Sequence, residues 1–224
     1  CMLCTTPPVA SAAGCEAPKG AFALSGDLLR VNVYIDAFNL YYRALKGTPY
    51  KWLDVRKLSE LMLPSAKVGR IRYFTARVSA RPNDLQQPVR QQAYLRALQT
   101  IPGLSVHFGH FLEKPAMMRL CKPLPDGTAF VRVLKTEEKG SDVNLASYLL
   151  LDGFRRDYEA AAVVTNDSDL AHTVKLVRDE LKLPVQVLDP SAERSSKELN
   201  AAASFYQPIR RGVLSASQFP SQIR

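Results

Sequence analysis

The sequence lacks any long hydrophobic run. No apolar stretch approaches the ~18 residues that a membrane-spanning helix needs. Residues 1 to 30 also lack the basic start and the continuous apolar segment of a secretory signal. We therefore expect no membrane partner and a cytoplasmic location.

Cysteine is scarce and unevenly distributed. Of the four cysteines, Cys1, Cys4 and Cys15 crowd into the start of the sequence, and Cys121 stands alone. This number is too small for a disulfide framework in a chain of 224 residues. Cys1 and Cys4 have the spacing of a metal-binding pair, but no second pair follows, so a metal site there is not expected.

Several signatures of known enzyme classes are also missing. The sequence contains no Gly-rich phosphate loop, no G-x-G-x-x-G and no Ser/His/Asp arrangement around a nucleophile. His107 and His110 fall on a predicted strand at positions that face opposite sides, which argues against a shared metal ion. These absences disfavour enzymes that use a nucleotide cofactor.

Positive charge is in excess. Lys and Arg number 30 against 21 Asp and Glu, which gives a net charge of +9 and favours polyanionic partners. Seven basic residues and one acid lie between Lys67 and Arg96, whereas ten acids and five bases lie between Ser141 and Glu193. An acidic centre in a basic chain suggests a cation site that faces an anionic substrate, and the alternative is that these charges are solvated helix faces.

Apolar runs and helical periodicities alternate along the chain. The predicted strands are 28–35, 70–78, 104–111, 160–165 and 184–188, and the predicted helices are 55–63, 86–101, 142–154, 168–181 and 196–203. A hairpin is predicted between 117–122 and 129–134, around Pro125, Asp126 and Gly127. Strands that alternate with helices imply parallel pairing with right-handed crossovers. We expect a flexible leader over 1–28, one domain over 29–204 and a basic C-terminal tail over 205–224.

Three acidic motifs lie where these elements meet. Asp36 ends the first strand, with Asn39 shortly after it, and Asp142 begins the central helix after a Gly. Asp167 and Asp169 follow the buried run that ends at residue 165. In open parallel sheets, ligands bind at the carboxyl ends of the strands, so these acids are candidates for function.

Helix capping is the alternative role for each of these acids. An Asp at a strand-to-helix junction is a good N-cap, and Asp36 alone does not distinguish the two roles. Asp167 and Asp169 are more informative, because two acids on one tight loop repel each other unless a cation neutralises them, and capping requires only one. A metal or phosphate role is therefore favoured for this pair.

Together the motifs D-A-F-N (36–39), E-K-G-S-D (138–142) and T-N-D-S-D (165–169) resemble the NYN-domain family of the PIN-like nuclease superfamily. The resemblance covers roughly residues 31–190. It implies an α/β fold, a Rossmann-like PIN-type three-layer sandwich with a mainly parallel central sheet. It also implies that Asp36, Asp142, Asp167 and Asp169 are the catalytic acids and bind Mg²⁺ or Mn²⁺ for phosphodiester hydrolysis, usually of RNA.

The resemblance also suggests substrate contacts. Asn39 matches the family's early Asn and would contact the metal shell or the scissile phosphate. Relatives often have a small residue at the position of Asn166, so no catalytic role is assigned to it. Lys139 could neutralise a phosphate oxygen, or it could be a surface lysine on a loop. Tyr42 and its neighbour Tyr41 could stack on an unpaired base or pack against the sheet.

The first hypothesis is therefore a divalent-metal-dependent ribonuclease. A non-catalytic RNA-binding module on the same fold is the second, and a small-molecule phosphatase is the third, although Phe38 stands where a phosphoaspartate enzyme would usually place a second Asp. The expected partner is single-stranded or structured RNA, and association of the chain into a homo-oligomer stays open.

Overall fold

A seven-stranded sheet forms the centre of the computed structural model, which describes residues 28–191 and 195–220. Its strands are β1 Leu29–Asp36, β2 Ala66–Ala76, β3 Leu104–Arg119, β4 Phe130–Lys139, β5 Ala160–Val164, β6 Val185–Asp189 and β7 Phe205–Pro208. They are arranged in the order β4-β3-β2-β1-β5-β6-β7. Only β3 and β4 pair antiparallel, and the other neighbouring strands pair parallel.

Helices cover both faces of this sheet. They are α1 Ala37–Leu40, α2 Val55–Met62, α3 Gln87–Gln99, α4 Ser141–Phe154, α5 Ala171–Asp179, α6 Lys197–Ala202 and α7 Arg211–Ala216. One apolar cluster packs α1, α2, α3 and α7 against the sheet, and a second packs α4, α5 and α6 against the other face. This arrangement confirms the predicted α/β three-layer sandwich with a mainly parallel sheet.

The central strands owe their position to their composition. Val31, Val33 and Ile35 of β1 are fully buried, as is every residue of β5. Continuous runs of apolar residues, many of them β-branched, suit strands that are covered on both faces. The sequence therefore predicts these two strands at the centre, where they pair with each other.

The order of the strands creates a switch point beside β1. The chain moves outward from β1 to β2 and β3, and later returns to place β5 on the other side of β1. The loops that leave β1 and β5 consequently diverge to opposite faces of the sheet and leave a crevice between them. Ligands of open α/β sheets bind at such a crevice.

The hairpin is longer than predicted. Its turn lies at the predicted position, with Gly127 in the left-handed region, but the paired strands run from His110 opposite Lys139 to Arg119 opposite Phe130. The strand predicted over 104–111 thus continues without a break into the first arm of the hairpin. Gly109 and Pro115 both lie within β3, and neither of them ends the strand.

The end of the described chain is folded onto the domain. Residues Phe205–Pro208 form β7 along β6, and Leu214 of α7 is buried in one of the two apolar clusters. Pro208 is tolerated because it ends an outer strand of the described sheet. Residues 1–27 of the expected leader over 1–28 lie outside the described residues. Among the described helices, none is long and apolar enough to cross a membrane.

Candidate active site

Asp36 lies at the carboxyl end of β1 and is nearly buried, with 5% of its surface exposed. One carboxylate oxygen, Oδ1, accepts a hydrogen bond from the backbone N–H of Asn39 at 3.0 Å. The other, Oδ2, accepts from the hydroxyl of Thr165 at 3.1 Å. Asp36 therefore caps α1, as the alternative role predicted, and is also tied to the end of β5.

Asp167 lies in the loop that leaves β5. Its Oδ1 accepts from the backbone N–H of Asp169 at 3.1 Å, which caps the short 3₁₀ turn Ser168–Leu170. Its own N–H donates to Thr165 Oγ1 at 3.1 Å. Thr165 thus connects the carboxylate of Asp36 to the backbone of Asp167 and links the two halves of the crevice. Its place in the T-N-D-S-D motif was visible in the sequence, but its bond to Asp36 was not.

Asn39 connects the same two loops from the other side. Its side-chain oxygen accepts from the backbone N–H of Asn166 at 3.0 Å. The side-chain oxygen of Asn166 in turn accepts from the N–H of Ser196 at 2.8 Å. Asn39 therefore orients the loop that carries Asp167, in addition to lining the cavity described below.

Asp142 reaches the site from the start of α4. The chain passes from β4 into this helix through Gly140. Its backbone φ of +97° is one that residues other than Gly rarely adopt. Gly109 on β3 faces this turn, and a Cβ there would meet Glu138 Oε1, the carbonyl of Lys139 and the N–H of Ser141. Close packing of two backbones therefore positions Asp142.

Burial and neighbouring acids raise the pKa of Asp36 and of Asp142. Burial raises the pKa of Asp36 to about 7, and the negative charges of Asp142 and Asp167 add to that shift. Loss of hydration likewise raises the pKa of Asp142, and three further acids act in the same direction: Asp167, Glu138 and Asp169. Within residues 28–191 and 195–220, no ion pair joins a Lys or Arg to any of these acids. Among the described residues, their mutual repulsion is therefore not offset by an ion pair.

A cavity of about 370 Å³ opens over these groups. Of the predicted residues, Asp36, Asn39, Asp142 and Asp167 line it. Further polar residues that the sequence did not single out also line it: Arg43, Arg81, Glu113, Thr136 and Glu138. The structure therefore brings most of the predicted site together and adds two acids and two arginines.

The hairpin supplies the residues that were missed. Phe111 and Glu113 on β3, and Thr136 and Glu138 on β4, alternate along their strands and face the cavity. Their period-two spacing was present in the sequence. The prediction placed Phe111 at the end of a strand and left Glu113, Thr136 and Glu138 outside any strand, so their common face was not recognised.

Two predicted residues lie outside the described lining of the cavity. Asp169 is exposed, although its charge still acts on Asp142. Lys139 Nζ lies 3.2 Å from Glu137 Oε2, and Lys135 pairs with the same glutamate. These residues alternate with Thr136 and Glu138, so they occupy the opposite face of β4. A substrate contact by Lys139 stays a prediction.

A second charged cluster lies further along α4. Asp152 is fully buried, and both its oxygens accept from Arg72, Oδ2 from Nε at 2.7 Å and Oδ1 from Nη2 at 2.9 Å. The hydroxyl of Tyr34 donates to the same carboxylate at 2.7 Å. Burial alone lowers the pKa of Arg72, but the bonds to Asp152 more than offset this and the pKa is raised. His107, 3.2 Å from Arg72, completes this cluster as a packing residue.

The chemistry of the acidic cavity fits a hard divalent cation. Carboxylate and amide oxygens are the ligands that Mg²⁺ and Mn²⁺ prefer, and the repelling charges of Asp36, Asp142 and Asp167 would be offset by such an ion. In the described part of the chain, no three acidic, His or Cys side chains already stand in the geometry of a finished metal site. The carboxylates would therefore have to close onto the ion by small side-chain movements.

Comparison with known proteins agrees with this architecture. Residues 30–210 match the family described as NYN domain. The chain is 30% identical over 228 aligned positions to 6-hydroxy-3-succinoylpyridine 3-monooxygenase HspA of Pseudomonas putida, and the alignment covers 89% of this chain and 73% of that protein. A crystal structure of a protein of unknown function from Vibrio parahaemolyticus superposes with a TM-score of 0.55 at 16% identity. That superposition covers 84% of this chain and 98% of the other, and it supports the fold alone.

Proposed function

Since the chain belongs to the NYN-domain family, we propose that it is a divalent-metal-dependent nuclease that hydrolyses phosphodiester bonds of RNA. The observation that carries the proposal is the convergence of Asp36, Asp142 and Asp167 at one cavity without an ion pair to any described Lys or Arg. Family membership supports a nuclease-like fold, and the choice of RNA follows from what NYN domains generally act on.

Three acids of this chain would hold the cation. The carboxylate of Asp36 accepts from Asn39 and Thr165, that of Asp167 accepts from the N–H of Asp169, and both residues line the cavity. Asp142 would close the shell from the helix side. When bound, the divalent cation acidifies a coordinated water and offsets the negative charge that builds on the phosphate.

The remaining lining residues would handle the substrate. Arg43 and Arg81 provide positive charge at a cavity that is otherwise acidic, which lets a phosphodiester approach the carboxylates. Glu138, whose Oε1 accepts from the N–H of Ser141 at 3.2 Å, and Asp169 would keep the local charge negative enough to retain the cation. We further propose that the protein acts in the cytoplasm, where RNA substrates are available.

Cleavage assays with matched acid variants test this proposal. The parent should cut single-stranded RNA in Mg²⁺ or Mn²⁺ and lose the activity in EDTA. Asp167→Asn should lower the rate by at least about a hundredfold, because it removes a metal ligand. Asp179→Asn, an exposed acid paired with Arg178 outside the cavity, should cut at the parental rate. Equal rates for Asp167→Asn and the parent, or cleavage that survives EDTA, would contradict the proposal.

Monooxygenation is the second candidate, and the observation that favours it is the 30% identity to a protein named as a 3-monooxygenase. A monooxygenase inserts one atom of O₂ into its substrate and reduces the other to water with electrons from a reductant. The absence of a G-x-G-x-x-G motif means that a nucleotide reductant would bind by other means. The same cavity and its aromatic neighbourhood would receive a pyridine ring.

Mass spectrometry separates the two candidates. The protein would be incubated with 6-hydroxy-3-succinoylpyridine, O₂ and a reduced nicotinamide or flavin, and the products searched for one added oxygen. Product formation that is independent of Asp167 would favour monooxygenation. Unchanged substrate under conditions in which RNA is cleaved would leave the nuclease as the activity of this chain.

A further inference from the structure

An apolar cavity of about 290 Å³ lies beside the acidic one. It is enclosed by α1 with the π-helical turn Tyr41–Leu45, the end of β2 and the start of α3. Six aromatic side chains line it: Phe38, Tyr41, Tyr42, Trp52, Tyr73 and Tyr94. Its volume is close to the lower end of small-ligand pockets, ~300 Å³. Nothing in the proposed hydrolysis uses this cavity.

The two cavities are adjacent and share walls. Phe38, Tyr42 and Val78 line both of them. A group in the apolar cavity and a phosphate at the carboxylates are therefore close enough to belong to one molecule. A nucleotide has these two parts, a planar apolar ring and a phosphate joined by a sugar.

The rings that line the cavity differ in how much of their surface is exposed. Tyr94 donates its hydroxyl to the carbonyl of Leu53 at 2.8 Å, and Tyr73 is only 6% exposed, so both belong to the wall. Tyr42 and Trp52 keep 47% and 36% of their surface exposed. Trp52 is held by a tilted ring contact with Tyr94, at 5.9 Å between ring centres. Lys46 Nζ lies over the ring of Tyr42, 4.9 Å from its centre. Two partly exposed rings thus stand at the mouth, supported by a buried wall.

Charge at this cavity suits a nucleic-acid strand. Lys51 and Arg90 line it together with Gln87, and no acid occurs in its described lining. Arg90 pairs with Asp84, and Gln91 is occupied by bonds to the backbone of Val78 and Ala76. Proteins that bind single strands combine such aromatic rings with nearby positive charge.

From these observations we infer that the aromatic cavity binds an unpaired base of the same strand whose phosphate lies at the acidic cavity. The inference rests on the proposed nuclease function and assigns a base-binding subsite to it. A paired base remains stacked inside its duplex and cannot enter such a cavity, so the substrate must be single-stranded at this nucleotide. Stacking accepts any base, so the subsite selects strandedness and not sequence.

Trp52 provides a direct readout, since it is the only tryptophan of the chain. Its fluorescence would be titrated with a single-stranded RNA of about eight nucleotides, within the usual site size of single-strand binders. Ca²⁺ would replace Mg²⁺ to neutralise the carboxylates, and a gel would verify that the strand stays intact. We expect saturable quenching, with an abasic strand of the same length and a duplex of the same sequence binding about 5- to 100-fold more weakly.

Two aromatic variants serve as a matched pair. Tyr42→Ala removes a ring at the junction of both cavities and should weaken binding of the normal strand at least about fivefold, with little effect on the abasic strand. Phe154→Ala removes a ring that is 78% exposed on the far end of α4, outside both cavities, and should bind like the parent. Thermal unfolding of both variants would verify that they are folded.

Three outcomes would overturn the inference. Equal quenching and affinity for the abasic strand and the normal strand would mean that only the backbone binds. Free uridine or adenosine binding as tightly as the oligomer would make the cavity a small-molecule site. Equal affinities of Tyr42→Ala and the parent would show that the Tyr42 ring does not contribute to binding of the base. Base-dependent quenching in a protein that cleaves no RNA in any metal would support the subsite and reject the nuclease proposal, so the two can fail separately.

Discussion

Helix α4 carries two aspartates that the chain treats in opposite ways. Asp142 at its start faces the acidic cavity and makes no ion pair with a described Lys or Arg, whereas Asp152 near its end is fully buried and bonded to Arg72 on both oxygens. The two lie about 15 Å apart along the helix. Both aspartates lie close to the sheet, but among the described residues only Asp152 is neutralised by a basic side chain.

This difference separates a structural acid from a functional one. A buried carboxylate is tolerated when a cation and hydrogen bonds compensate it, as Arg72 and Tyr34 do for Asp152. The acids around Asp142 have no such ion pair among the described residues, so a bound cation, as we propose, would relieve their repulsion. We therefore take the unpaired cluster, and not acidity itself, as the mark of the active site.

The largest predicted effect is the loss of stability on replacing the buried Asp152. Asp152→Asn should lower the free energy of unfolding by about 3–5 kcal/mol, because Arg72 would be left buried with an uncompensated charge. Asp142→Asn, measured by urea unfolding in EDTA, should stay within about 0.5 kcal/mol of the parent or exceed it, since it relieves repulsion. Similar destabilisation by both variants would erase the distinction.

The pH dependence of stability should reveal the repulsion between the acids of the acidic cavity. The folded chain holds a proton on Asp36 up to about pH 7, whereas an unfolded Asp releases it near 3.8. Without metal, the free energy of unfolding should therefore fall as the pH rises from about 4 to about 7, by on the order of 2–4 kcal/mol. Asp36→Asn should flatten this part of the profile.

Urea unfolding in EDTA across this pH range provides the measurement. Asp179→Asn serves as the control, since its carboxylate is an exposed partner of Arg178 and should leave the slope unchanged between pH 4 and 7. A parental profile that rises throughout this interval would contradict the assignment of Asp36 as an acid in a repulsive cluster.

The smallest predicted effect concerns Gly140, the glycine turn that positions Asp142. Gly140→Ala should cost about 1–2 kcal/mol, because φ at this position is +97°. It should also weaken Mn²⁺ binding by shifting the start of α4. Gly127→Ala introduces comparable strain at the hairpin turn, where φ is +85°, and should lower stability without changing Mn²⁺ affinity. Equal Mn²⁺ affinities for the two variants would mean that this glycine turn does not position the site.

Much of the fold was predictable from local patterns. Buried apolar runs predicted β1 and β5, and the alternation of strands and helices predicted parallel pairing. Asp36 and Asp167 follow directly, because acids at the ends of central parallel strands meet at one edge of the sheet. Residues whose position depends on a single strand end could therefore be placed from the sequence, while their catalytic role stays a prediction.

Long-range pairing was not predictable in the same way. Arg72 belongs to the basic stretch and Asp152 to the acidic centre, so counts of local charge placed them in two different surfaces, although they bond to each other across 80 positions. Glu138 was missed for a related reason, since its orientation depends on the register of the hairpin. One residue of register reverses which face a strand side chain occupies, and composition does not determine that register.

Binding of Mn²⁺ to the acidic cavity tests the central claim most directly. Calorimetric titration of the metal-free protein should show saturable binding, and Asp142→Asn should weaken it at least about tenfold by removing a carboxylate ligand. Asp179→Asn should bind as the parent does. Absence of saturable binding to the parent, or equal affinities for Asp142→Asn and the parent, would contradict the account of this cavity as a divalent-cation site.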